Sequence, residues 1–169
     1  MRKILSSQLY IPVLVVFMYF ILSLATIAIN LQAPTEEPTA AEKSILNPIV
    51  SIVEKELKNR GLVFNPARIY LTDMRNMSNA VGVTITDPQV YLGKWIELRQ
   101  SYYINAPDEI KEALVLHEYG HYLGLEHNNG MGSMFCPMSV MHYSHDMEGC
   151  FFRYREYYYN ELAQEVLSL

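Results

Sequence analysis

Residues 117–127 read HEYGHYLGLEH and hold three of the chain's five histidines. His117 and His121 stand four residues apart. On an α-helix that is one turn plus about 40°, so both imidazoles project from the same side and can share one divalent cation. Glu118 follows directly and is rotated by about 100°. Its carboxylate therefore stands beside the ion, where it can take a proton from an attacking water and later deliver it to a leaving amine. This is the logic of the H-E-x-x-H pattern. Gly124 breaks the helix in a left-handed conformation that a Cβ would disfavour. The chain turns back, and His127 reaches the same ion from outside the helix. Three nitrogen ligands leave one coordination position for solvent, the arrangement of a hydrolytic zinc site.

Working outward, Asn105 or Asp108 is a candidate cap for the helix, which Ala106 and Pro107 enter. Glu109 and Glu112 lie near its positive end. It runs through Ile110, Leu114 and Val115 to Leu123. Upstream, residues 44–60 space Ile45, Ile49, Ile52, Val53 and Leu57 at helical steps and stop at Gly61. Pro48 fits the first turn of that helix. Three runs have strand character: ARIYLTDM (67–74), NAVGVTITDP (79–88) and KWIELRQ (94–100). Their expected buried residues are Ile69, Leu71, Val81, Val83, Ile85, Trp95 and Ile96. A loop rich in Gly, Asn, Ser and Met fills residues 128 to about 149. The tail, 153–169, is helical by the spacing of Tyr158, Leu162 and Val166. Tyr157, Tyr158 and Tyr159 are expected to divide between core and surface, with stacking in a substrate groove as the alternative.

The stretch 117–127 resembles the H-E-x-x-H-x-x-G-x-x-H signature of the metzincin zinc metallopeptidases. A second segment, CPMSVMHY (136–143), follows at a suitable distance. Its SVMHY is similar to the methionine turn that lies under the metal in that family. The resemblance covers residues 115–143 and implies several things. Met141 takes the turn's methionine position. Tyr143 reaches the metal or donates a hydrogen bond to the developing oxyanion. An edge strand before the active-site helix binds an extended peptide by backbone pairing. Residues 81–86 are the candidate edge, with 95–98 next to it. The residue after the third histidine is Asn128, where the major branches carry Asp, Glu, Ser or Pro.

Other polar residues are candidates of lower rank. His142 and His145 could assist substrate or a second ion, or simply face water. Asp146 and Glu148 could hydrogen-bond a ligand imidazole. Glu156 or Glu161 could replace His127 as third ligand in a different type of zinc peptidase. A non-catalytic zinc-containing binding module is the remaining alternative, although a structural site has no use for Glu118.

The N-terminus carries a different signal. LYIPVLVVFMYFILSLATIAI (9–29) contains no charged residue and spans about 30 Å as a helix, the thickness of a bilayer's hydrocarbon core. Arg2 and Lys3 precede it and stay cytoplasmic by the positive-inside rule. Residues 1–8 are thus read as cytoplasmic, 9–31 as a transmembrane anchor, 32–43 as a Pro- and Glu-containing linker, and 44–169 as a zinc peptidase domain outside the cytoplasm. Cleavage of a signal peptide, giving a secreted domain, is the competing reading. A buried core helix is the third.

The whole chain has a formal charge of −5, so the part beyond Arg2 and Lys3 carries −7. No basic stripe appears, which argues against a nucleic-acid partner. Cys136 and Cys150 can pair in an oxidising compartment or remain free thiols. The expectation is an α+β domain with a small mixed β-sheet, an active-site helix, the methionine turn and a C-terminal helix, preceded by one transmembrane helix. It is expected to bind one catalytic Zn2+ through His117, His121 and His127. It would act on extended peptides or proteins, with Glu118 and Tyr143 as catalytic residues.

Overall fold

Residues 39–42, TAAE, start the first helix. The Thr39 amide donates to Glu42 Oε2 (2.8 Å) and the Glu42 amide donates to Thr39 Oγ1 (3.2 Å), a reciprocal capping box. Helix α1 therefore runs Ala40–Asn59, and residues 40–43, read from composition as linker, are its first turn. The earlier start moves Pro48 from the expected first turn into the helix interior. There it removes one helical hydrogen bond. Pro48 and Ser44, whose carbonyl loses that donor, are both exposed.

The computed structural model describes residues 37–74, 79–86, 93–132, 136–142 and 149–169. After α1 come β1 (Arg68–Thr72), β2 (Gly82–Thr86), β3 (Lys94–Arg99), a short α2 (Gln100–Asn105), α3 (Asp108–Leu123) and α4 (Cys150–Leu167). This is the expected α+β composition. Each strand is shorter than its sequence run, and α2 was not anticipated. The segment 9–31 lies outside the described residues. Among the described residues no helix is long and apolar enough to cross a membrane.

The sheet is mixed and has the order β1-β3-β2. β3 pairs in parallel with β1 and antiparallel with β2, placing Thr84 opposite Ile96. Central β3 buries Trp95, Ile96 and Leu98, and β1 buries Ile69, Tyr70 and Leu71. β2 forms an edge, as expected of residues 81–86. In consequence Val81, Val83 and Ile85 are only half-buried. Glu42 also accepts the amide of Leu71 on the other edge (3.1 Å), tying the start of α1 to β1.

Helix α3 lies at the centre, packed on α1, α4, β2 and β3. Every residue from Ala113 to Gly120 is buried. It is hence buried on every side rather than along one stripe, His117 and Glu118 included. Neither Asn105 nor Asp108 caps it. Pro107 takes the cap position without a side-chain hydrogen bond, and Asp108 and Glu109 occupy the first turn. Asn105 instead donates to Ser101 O within α2. At the other end Gly124 has φ 107°, and its amide returns to Gly120 O and His121 O. That is the left-handed stop expected from the sequence.

Cys136 and Cys150 form a disulfide with a Cα–Cα distance of 5.6 Å. It ties the turn of residues 136–142 to the first residue of α4. Helix α4 lays Phe151, Tyr158, Tyr159 and Leu162 into the core. Tyr157 stays exposed. The three consecutive tyrosines therefore divide as expected. Tyr157 and Tyr158 are both spent on the turn, donating to Met138 O and Pro137 O at 2.9 Å each.

Candidate metal centre

Helix periodicity brings His117 and His121 together, with ring centroids 4.8 Å apart. The reversal at Gly124 returns His127 to within 4.6 Å of His121 and 5.3 Å of His117. One nitrogen from each ring lies within 4.8 Å of the other two. His121 Nε2 and His127 Nε2 lie 3.2 Å apart. Two nitrogens at metal–nitrogen lengths of about 2.0–2.1 Å in a tetrahedron stand about 3.3 Å apart. The spacing therefore fits two ligands of one ion.

The hydrogen-bond partners of the rings settle which nitrogens face inward. His117 Nδ1 lies 2.8 Å from Val140 O, and His121 Nδ1 lies 2.8 Å from Leu125 O. A carbonyl can only accept, so both Nδ1 atoms carry the proton, and in the neutral rings both Nε2 atoms carry the lone pair. That is the tautomer a metal ligand needs. His127 is held below the usual imidazole range, first by burial and then because a proton on either ring of the His121–His127 pair disfavours one on the other. It too is kept in the neutral form that can ligate.

Two carbonyls of one turn hold the ligand segments. Val140 O takes His117, and Met141 O takes the Asn128 amide (2.9 Å), which fixes the residue next to His127. The turn is braced from within by the Met141 amide, which donates to Ser139 Oγ (3.0 Å). It is braced from outside by the Glu161 carboxyl on α4, which interacts with Ser139 and the Val140 backbone. Met141 is fully buried and lies directly under Gly120. An added Cβ on Gly120 would sit 2.2 Å from Met141 Sδ, so only glycine lets helix and turn approach this closely.

Glu118 faces the sheet. It is 2% exposed, and burial pushes its carboxyl up to about 7, against the opposing effect of a hydrogen bond from Thr84. Thr84 Oγ1 lies 2.9 Å from Glu118 Oε2 and 2.9 Å from Glu118 O. The histidines, Glu118 and β2 enclose a cleft of about 660 Å3, into which Gly82, Thr84 and Lys94 also face. Burial falls from His117 through His121 to His127, so the cluster opens on the His127 side.

The sequence-derived residues separate into three groups. His117, Glu118, His121, His127 and Met141 are brought together. Tyr143, His145, Asp146 and Glu148 lie outside the described residues. The remaining candidates are placed elsewhere. His142 is buried instead of facing water. Glu156 is engaged by Arg60 and Arg155 on the surface, and Glu161 lies behind the turn. Among the described residues, no fourth His, Cys, Asp or Glu joins the trio. The sequence offers carboxylates as partners of these rings, but those of His117 and His121 are main-chain carbonyls, which leave no mark in a sequence. Thr84 also escaped notice, although its place in the expected edge strand could have drawn attention to it.

The three imidazoles suit several divalent transition metals, zinc, copper, iron and nickel among them. Comparison with family descriptions, with curated proteins and with solved structures returns no match for this chain.

Proposed function

We propose that residues 44–169 form a zinc-dependent endopeptidase of metzincin type that hydrolyses extended peptides outside the cytoplasm. One observation carries this reading: three imidazole nitrogens converge at ligand spacing beside a buried carboxylate, on a cleft bounded by an edge strand. His117, His121 and His127 would hold the ion. Bound there, zinc supplies Lewis-acid polarisation of a carbonyl and lowers the pKa of a coordinated water.

The chain's own residues do the rest. Glu118 accepts a proton from the attacking water and returns it to the leaving amine. In the metal-free protein burial lifts this carboxyl to about 7, and the charge of a bound ion would act in the opposite direction. β2 offers the backbone groups of its outer side to an extended substrate. Tyr143 is assigned by the motif to donate to the oxyanion. A disulfide in the domain suits an oxidising compartment, consistent with anchoring through residues 9–31 or secretion after cleavage.

The test compares the zinc-loaded protein and its Glu118→Gln variant on casein and on a peptide library, with and without chelator. Glu118→Gln is expected to retain zinc and lose at least about 10²-fold in turnover. Undiminished hydrolysis by that variant would refute the assignment of the base. Chelator-resistant hydrolysis would refute the metal.

A further inference from the structure

Gly82 and Thr84 are two residues apart on β2 and so point to the same side of the strand. Both meet Glu118, each at a different carboxylate oxygen. Thr84 Oγ1 stands 2.9 Å from Oε2. At position 82 an added Cβ would come within 2.5 Å of Oε1, and glycine leaves that space open. We infer that the edge strand aims the base: Thr84 pins Oε2, so that Oε1, in the gap left by Gly82, alone exchanges protons with water and leaving group. Thr84 is on this account a positioning residue, and the inference rests on Glu118 being the proton-transfer group.

The hydroxyl suits the task in both states of the carboxyl. It has one proton and two oxygens of Glu118 within reach, Oε2 and the main-chain O, each at 2.9 Å. With the carboxylate ionised, the proton goes to Oε2. When Oε1 has taken a proton from water, Oε2 is still an acceptor and the same bond persists. The proton that arrives on Oε1 therefore leaves from Oε1, and Thr84 neither gains nor loses one. A carboxylate without this anchor can rotate about its last bond and present either oxygen to the cleft. That freedom reduces the fraction of time spent in the productive geometry.

Valine has threonine's shape without its hydroxyl, and serine keeps the hydroxyl. Wild type, Thr84→Val and Thr84→Ser are loaded with zinc and compared for kcat and KM on a cleaved library peptide. Zinc-free crystals of all three report the Glu118 side chain directly. Thr84→Val is expected to lower kcat about 10- to 100-fold, with zinc content unchanged and KM within about threefold. Thr84→Ser should restore kcat to within about threefold of wild type. The Glu118 carboxylate should leave its place against β2 in the valine crystals and keep it in the serine crystals. Unchanged kcat in Thr84→Val overturns the inference, and so does a carboxylate that stays in place without the hydroxyl. Thr84→Ala replaces the valine variant if the latter does not fold. Should wild type cleave no peptide, the proposed function fails, while the crystals still decide whether Thr84 holds the carboxylate.

Discussion

Replacing Gly120 by alanine probes how closely the histidine-bearing helix rests on the turn beneath it. In an exposed helix the change would stabilise by about 1 kcal/mol, because glycine is a poor helix former. Here the new methyl would lie 2.2 Å from Met141 Sδ, 3.0 Å from its Cε and 3.2 Å from Leu162 Cδ1. Ordinary contacts are about 3.5–4.0 Å, so the sulfur must retreat by roughly 1.5 Å. Met141 and Leu162 are both 0% exposed, and neither can yield toward solvent. Overpacking of this kind costs about 1–3 kcal/mol. With so large an overlap the upper end applies, and the net loss is about 2 kcal/mol. Met141→Ala alone opens a cavity and should cost about 3 kcal/mol. In the double variant the alanine methyl enters the space the thioether has left. The combined loss should then be about 2 kcal/mol instead of about 5, a coupling near 3 kcal/mol. Urea unfolding of the metal-free protein at fixed pH reads all four species, provided the m-value stays constant. Losses that add to within about 0.5 kcal/mol would show that Gly120 and Met141 do not share this contact.

Three other outcomes follow from the structure. Removing both cysteines by serine substitution frees a loop with a sequence separation of 14, which should lower stability by about 3 kcal/mol; an unmoved urea midpoint would contradict the cross-link. Burial holds the Glu161 carboxyl up to about 7 from an ordinary 4.5, so the folded chain binds this proton more tightly than the unfolded chain does. Its stabilising effect is full below about pH 4.5 and is lost as pH rises through 7. Glu118 titrates in the same window, so the quantity to measure is the difference in thermal midpoint between wild type and Glu161→Gln from pH 4.5 to 7.5. An identical pH slope in both would rule out the buried carboxyl. Finally, zinc at one hundred times its Kd should stabilise wild type by about 2.7 kcal/mol. His121→Ala should abolish most of that gain, and an equal gain in the variant would mean that the trio does not share one ion.

What could be read from the sequence depended on whether a contact has a periodic cause. His117 and His121 meet because helices repeat every 3.6 residues, and His127 joins them because Gly124 has φ 107°. Both facts are encoded in residue types at fixed spacing, whereas the place of residues 81–86 beside 95–98 rests on the family resemblance and the central position of β3 has no such signature. The carbonyls of Val140 and Leu125 have no such signature, since every residue carries one. The start of α1 has a different cause. TAAE is a capping box in plain view, but the prolines and glutamates around it read as linker when taken by composition alone. The interior place of Pro48 follows from the same capping box, because its position in the helix depends on where the helix begins.

The turn shows why a residue signature and a physical role need not coincide. Met141 gives the turn its signature, and its sulfur packs under Gly120. The groups that hold the histidine segments are the main-chain oxygens of Val140 and Met141. Their positions depend on Ser139, on Glu161 and on the disulfide at Cys136. A substitution of Met141 that preserves volume, such as leucine, should then leave the two carbonyls in place and cost less than about 1.5 kcal/mol. Loss of the Ser139 hydroxyl leaves the Met141 amide, buried in the turn, without its acceptor, and should cost about 1–3 kcal/mol. If the backbone carries the function, Ser139→Ala must weaken zinc binding more than Met141→Leu does, although both residues belong to the SVMHY segment. The opposite order in zinc titrations of the two variants would return the role to the thioether.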